Sequence, residues 1–320
     1  PAPKGRFILD AFAKDRDAAL DCIGTSQTFF PRRPEAVAFH QGRAFFTTAN
    51  LQNAVGGVFY SQQLVTPDLD GDCFQAADPT ASEINDLIDT DGGFLPMPGV
   101  GQIYSLVEIG NGIAVIASNG VWYITGASID SGITATSIRL DKISKFGALG
   151  PNSVVEAEGS VFYFGIDGIL QLSVGDNFGL TAKNITNDTI QSFYIVIAAE
   201  SRRDASAVYI AEERKIYWAY RESIEGVTPS LISKNRFLIL DFDVGGFYKY
   251  SIAESQGQFP EIIGLTFVKP LAEQGALVPV VELNGDIVTE LDLSPVTEAI
   301  TANSGQISQM KLATLAWSSV

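Results

Sequence analysis

The sequence predicts an all-β fold, and three observations carry that prediction. Hydrophobic residues make up 46% of the 320 residues and charged ones only 18%, which excludes a disordered chain and leaves enough apolar surface for a sizeable core. The 20 Phe, 10 Tyr and 30 Gly suit pleated strands joined by tight turns. Five times, a two-residue turn pair stands directly before or within a strand-like run: Gly56-Gly57, Asn119-Gly120, Asp167-Gly168, Gly245-Gly246 and Asn284-Gly285. These are the pairs a type I′ hairpin calls for, because both of its central residues need positive φ.

Taken in order, the elements form a repeat. The N-terminal stretch 1–35 reads as a strand and linker, with Gly5-Arg6 opening a stray strand that closes a ring or starts a further unit. Then comes a hairpin, Ala36–Phe39 to Ala44–Thr47 around Gln41-Gly42, followed by the Gly56-Gly57 pair and its strand. The same order returns in Leu106–Ile109 to Ile113–Ala117 around Asn111-Gly112, and in Val154–Ala157 to Val161–Phe164 around Glu158-Gly159. A fourth case is Ala207–Ile210 to Lys215–Tyr220 around Glu212-Glu213. Two consecutive hairpins make a four-stranded meander. Gly57, Gly120, Gly168, Gly246 and Gly285 lie 63, 48, 78 and 39 residues apart, bracketing the ~40–50-residue period of propeller blades. In Ser105–Ile109 and Ile113–Ala117 apolar residues occupy both sides, as in a sheet sandwiched between neighbours. The prediction is therefore a β-propeller of about five to six four-stranded blades with short helical insertions. A Greek-key sandwich would also supply many strands, but long crossings are few here.

The propeller is expected over 36–293, with insertions at 62–102 and 180–191, and 294–320 leads to a further domain or a closing strand. In the first insertion Asp78 and Pro79 suit a helix start, and Thr80 with Glu83 has capping-box spacing; in the second, Thr186 to Thr189 suits a helix start before Ile190. The opening Pro-Ala-Pro shows no charged-then-apolar signal pattern, and the chain reads as a segment of something longer.

Charge and special residues narrow the function. Against 21 basic side chains stand 37 acidic ones, a formal charge of −16, so the average surface repels a phosphate backbone and sequence-reading nucleic-acid binding is not expected. Cys22 and Cys73 sit in no metal or redox spacing, and His40, the sole histidine, lies beside a turn, so triad and multi-histidine metal chemistry is not expected. No Walker loop or dinucleotide fingerprint is present, and no cofactor is expected. No apolar run reaches the ~18 residues of a membrane helix. Asp68, Asp70 and Asp72 alternate as at the start of a calcium loop, but the glycine and distant Glu do not follow in register, and the stretch reads as an acidic, solvated loop. Glu156 with Glu158 and Asp241 with Asp243 lie two apart on strands, placing each pair on one face, where a carboxylate dyad would sit. The basic doublet Arg32-Arg33 with Phe29-Phe30 reads as an interface anchor or a solvated loop.

The segments Arg33-Pro34 to Phe39, Val58 to Gln62, and Asp78 to Glu83 with Asp89 to Gly93 resemble the tail-nozzle proteins of short-tailed bacteriophages, also called packaged-DNA stabilisation or tail tubular B proteins. Asn119 to Ile124, Lys142 to Gly150, Asp167-Gly168-Ile169 and Leu180 to Thr186 follow that family in the same order, so the resemblance covers roughly 31–220. It implies a non-catalytic propeller subunit of the virion, made in the host cytoplasm. It further implies a homo-oligomer, six copies forming the distal conduit beneath the tail adaptor, in contact with a spike or needle and passing double-stranded DNA without reading it. An alternative from another class is a carbohydrate-binding or carbohydrate-active propeller, in which Trp122, Trp218 and Tyr220 would supply stacking faces.

Overall fold

A computed structural model describes residues 34–47, 56–66, 73, 88–127, 132–175, 179–222 and 234–251, and the backbone of strands within 262–314. Its strands are β1 (Val37–His40), β2 (Arg43–Thr47), β3 (Gly57–Tyr60), β4 (Gly93–Pro96), β5 (Ile103–Ile109), β6 (Gly112–Ala117), β7 (Gly120–Gly126) and β8 (Ile138–Ser144). They continue as β9 (Val155–Ala157), β10 (Ser160–Phe164), β11 (Ile169–Val174), β12 (Leu180–Asn184), β13 (Ser206–Ile210), β14 (Lys215–Tyr220), β15 (Arg236–Asp241) and β16 (Gly246–Ser251). The last four are β17 (Ile262–Val268), β18 (Val278–Leu283), β19 (Ile287–Asp292) and β20 (Lys311–Thr314). Two short helices, α1 (Gln191–Val196) and α2 (Ala199–Arg203), separate β12 from β13.

The all-β class is observed in the form expected. Among the described residues five four-stranded sheets each keep their strands in chain order, so each of them is a meander with the topology of a propeller blade. The 62–102 stretch holds β4, and the 180–191 stretch opens with β12. Both predicted insertions therefore contain the fourth strand of their blade. The helix expected near Ile190 begins at Gln191 with no side-chain cap. The predicted helix at Asp78, the stray N-terminal strand and the Asp68, Asp70, Asp72 loop lie outside the described residues.

The chain divides into two compact units, Pro1–Ala148 with Leu172–Ala182, and Leu149–Gln171 with Lys183–Val320. In the first, the core is the interface of two sheets: Phe45, Val58 and Tyr60 pack with Leu106, Ile113, Val115, Trp122 and Ile124. All six residues of β6 are buried, the two-sided burial that its apolar run predicts. In the second, Phe162 and Phe164 pack with Trp218, Tyr220, Leu238 and Leu240, and α1 adds Tyr194. The Phe164 ring stacks on Trp218 at 5.5 Å and meets Tyr194 edge-on at 5.3 Å. Both geometries are favoured by the ring quadrupole.

The turns correct the sequence reading in register. Gly57 is the first residue of β3, opposite Pro96, and φ is positive at neither Gly56 nor Gly57; this pair continues the ladder. Ala117 pairs with Gly120, so Ser118-Asn119 is the turn, and the amide of Asn119 instead bonds Gly99 O and Gly101 N. Gly165 N donates to Gly168 O around Ile166-Asp167. In both, the glycine follows the turn, at φ 155° and 151°, where it suits a turn whose central residues keep negative φ. Asp241 pairs with Gly246 across a four-residue loop in which Gly245 alone is left-handed, at φ 65°. Asn284-Gly285 lies outside the described residues.

Type I′ geometry is found one hairpin earlier. Gln41-Gly42 has φ 48° and 72°, and Glu158-Gly159 has φ 49° and 69°. At the corresponding place in the second sheet, Ile109 pairs with Gly112 around Gly110-Asn111, with φ 60° at Gly110 only, the II′ pattern. In the fourth sheet, Ala211 to Arg214 form a four-residue turn ending with Arg214 at φ 52°.

Candidate functional site

Three non-glycine residues have positive φ among the described residues: Gln41, Glu158 and Arg214. All three sit at tips of the first hairpin of a sheet, and all three side chains bond the neighbouring sheet. Left-handed backbone at a residue with a Cβ costs on the order of 1 kcal/mol and persists where surrounding contacts fix it. Here those contacts are visible.

In the first unit, Gln41 Nε2 donates to Asn111 Oδ1 at 2.7 Å, and Gln41 Oε1 accepts from Ile133 N at 2.7 Å. The tip of the first sheet is thus clasped to the tip of the second by an uncharged amide. One residue away His40, 5% exposed, sets Nδ1 2.9 Å from Glu108 Oε1, while its Nε2 is buried without a hydrogen-bond partner. His40 closes β1 opposite Arg43, so the reading of it as a turn-flanking residue holds, with a cross-sheet contact added.

Arg43 anchors this tip from beneath. It is 2% exposed and donates to Ser61 O and Asp91 O, each at 2.6 Å, and to Asp89 O. Burial pushes its pKa down, opposed by the nearby Tyr60, Asp91 and Asp89. Hydrogen bonds from Thr136 and Thr134 hold the Asp89 carboxyl below its ordinary range. A buried guanidinium with carbonyl partners fixes the return of the chain into β4.

In the second unit the corresponding clasp is ionic. Tyr209 Oη donates to Glu158 Oε1 at 2.5 Å, Arg214 Nε donates to the same oxygen at 3.1 Å, and Arg214 Nη1 donates to Asp243 Oδ1 at 2.8 Å. The Arg214 and then the Tyr209 bonds hold Glu158 below its ordinary pKa. Burial, reinforced by the Glu158 bond, pushes Tyr209 up to about 12. At the other end of the fourth sheet Glu222 accepts from Arg236 Nε at 2.6 Å and Lys249 Nζ at 2.5 Å. Burial alone would raise its pKa, but the two cations outweigh it and leave the group lowered.

These contacts revise the expected dyads. Glu158 occupies a turn and is held by Arg214, so it does not share a strand face with Glu156. Asp241 closes β15, and its Oδ1 accepts from Asp243 N at 2.9 Å and Val244 N at 3.1 Å, capping the turn in which Asp243 lies. Trp218 and Tyr220 are 0% exposed and Trp122 is 6% exposed, so none presents a stacking face to a sugar. Among the described residues no cluster of three or more His, Cys, Asp and Glu is placed to hold a metal ion, and no helix is long and apolar enough to cross a membrane. Phe29, Phe30, Arg32 and Arg33 lie outside the described residues. In the sequence Gln41 reads as a turn residue and Arg214-Lys215 as a basic doublet, while Arg43 and Tyr209 carry no signal of their own; the signal available for the clasps was a long polar residue before glycine in the first hairpin of two sheets.

No protein-family model matches the sequence, and no curated protein does. Among solved structures the chain is similar to a protein from Lactobacillus plantarum, at 11% identity and TM-score 0.44, over 89% of this chain and 70% of that one. It is also similar to the N-terminal domain of Nup159, at 11% and 0.39 over 79% and 59%, and to an apocarotenoid oxygenase of Synechocystis, at 8% and 0.37 over 85% and 61%. At such values none of these carries a function across. The class of the protein stands on its own sheets: five antiparallel meanders with blade topology.

Proposed function

We propose that this chain is a structural, non-catalytic subunit of the tail of a short-tailed phage, retaining packaged DNA and letting it leave. The observation that carries the reading is the ordered run of motifs from Arg33 to Thr186 that resembles tail-nozzle proteins. Charge supports it. At −16 the chain adds little salt-dependent adhesion to passing DNA, since each basic phosphate contact would slow transit. Val37 and Phe39, 50% and 60% exposed on β1, are apolar surface of the kind that protein contacts cover. Homo-oligomerisation, with six copies around a conduit between adaptor and spike or needle, belongs to the same proposal, as does a place in the virion after synthesis in the host cytoplasm.

Retention gives a direct test. Particles assembled without this chain should package DNA and then lose it, leaving empty heads that become full again when the chain is supplied in trans. DNA-filled, infectious particles made in its absence would overturn the proposal. Within the same system, neutralising acids that face the conduit should slow ejection, and unchanged kinetics in particles that still assemble would remove the proposed role of charge.

A further inference from the structure

We propose that the tip junction between the third and fourth sheets is a salt-released catch, whereas the Gln41 amide clasp between the first and second sheets is indifferent to salt. The inference goes beyond the tail reading and does not depend on it. Both ends of the Glu158–Arg214 clasp hold a left-handed backbone at a residue with a Cβ, φ 49° and 52°. Such backbone is maintained by contacts, and relaxes when they go. The contacts are exposed: the side chains of Arg214, Glu158 and Asp243 are 50%, 36% and 61% accessible.

Exposed ion pairs are the interactions that salt weakens most. Between about 0.01 M and about 1 M salt the screening length falls from about 30 Å to about 3 Å, comparable with the 3.1 and 2.8 Å contacts that Arg214 makes with Glu158 and Asp243. The neighbouring pairs that Lys215 makes with Glu213 and Asp241, both at 3.7 Å, are screened alike and give no fallback. Of the side-chain bonds in this network only Tyr209–Glu158 has an uncharged donor, and it does not involve Arg214. The Gln41 clasp makes its bonds with amide groups, Asn111 Oδ1 and Ile133 N, and carries no net charge to screen.

Amide hydrogen exchange followed residue by residue on the whole chain tests this, at about 0.01 M and about 1 M sodium chloride. The reporters of the ionic catch are Arg214 N, bonded to Ala211 O, and Phe242 N, bonded to Arg214 O; the reporter of the amide clasp is Ile133 N. Relative to the buried strand amide of Val115, exchange at the first two should rise about fivefold with salt, and at Ile133 less than about twofold. Arg214→Gln should reproduce the open rates at low salt and abolish the salt response, and Asp243→Asn, a milder change, should shift it part of the way. Equal responses at both tips, or none at Arg214 and Phe242, would overturn the proposal.

Discussion

Replacing Arg43 with methionine isolates the buried clamp on which the first unit depends. Methionine fills the aliphatic stem of the arginine but donates nothing, so Ser61 O, Asp91 O and Asp89 O each lose the Arg43 bond, Asp89 O keeping Ala135 N at 3.4 Å. A hydrogen bond from a charged donor contributes about 1.5–3 kcal/mol net; losing the two buried ones, with the third partly covered by Ala135 N, gives about 3–5 kcal/mol. Relief from burying a guanidinium offsets little, because its polar partners stay in place. With a urea slope of about 2 kcal/mol per M, the unfolding midpoint of this unit should fall by about 2 M. Arg43→Lys should lie between, since one ammonium cannot reach three carbonyls held by a planar fork. Unfolding followed in urea by circular dichroism, with exchange at Ala44 N and Ser61 N locating the loss, is the assay. A midpoint shift below about 0.5 M for Arg43→Met would mean that these three bonds do not hold the unit together.

Trp218→Ala should destabilise the second unit by about 3–5 kcal/mol, read as a urea midpoint, because the indole is fully buried against Phe164 and its Nε1 bonds Ser153 O at 3.2 Å. Gly150→Ala should destabilise the same unit by about 2–3 kcal/mol, because the new Cβ would stand 2.0 Å from the carbonyl oxygen of Arg203, backbone that cannot step aside. Glu222 has a lowered pKa in the folded chain, so its stabilisation is present above the unfolded carboxyl value of about 4.3 and is lost as pH falls through the folded value. Acid titration of stability should therefore show a loss below about pH 4 that Glu222→Gln flattens, and an unchanged profile in that variant would count against the assignment.

What was legible in the sequence follows the range of each interaction. Strand runs such as Ile113–Ala117 and Lys215–Tyr220 were readable because burial on both faces writes itself as continuous apolar sequence. Their meander order followed from turn spacing. Turn register was not readable: Asn119-Gly120 fits a I′ pair by composition, yet the ladder places Gly120 opposite Ala117 and moves the turn back one residue. Gln41 was noticed only as a turn residue, and Glu158 as a turn residue and half of a carboxylate pair, because nothing local says that a glutamine or glutamate will adopt positive φ. What holds them there is a partner 70 residues away in one case and 56 in the other. Arg43 is a similar case, since a basic residue at a strand start reads as exposed until the return of the chain at Asp89 to Asp91 closes over it. The carboxylate pairs erred for the opposite reason: spacing by two implies a shared face only inside a strand, and Glu158 and Asp243 lie just past the strand ends.

The tail reading meets its most direct test in purified virus particles from the source culture, with this chain quantified by mass spectrometry against the portal protein. The account predicts co-purification at about half the portal count, six copies against the twelve usual for the resembled family. Absence of the chain from intact particles would contradict it, leaving the blades and their clasps as structure without a place in a virion.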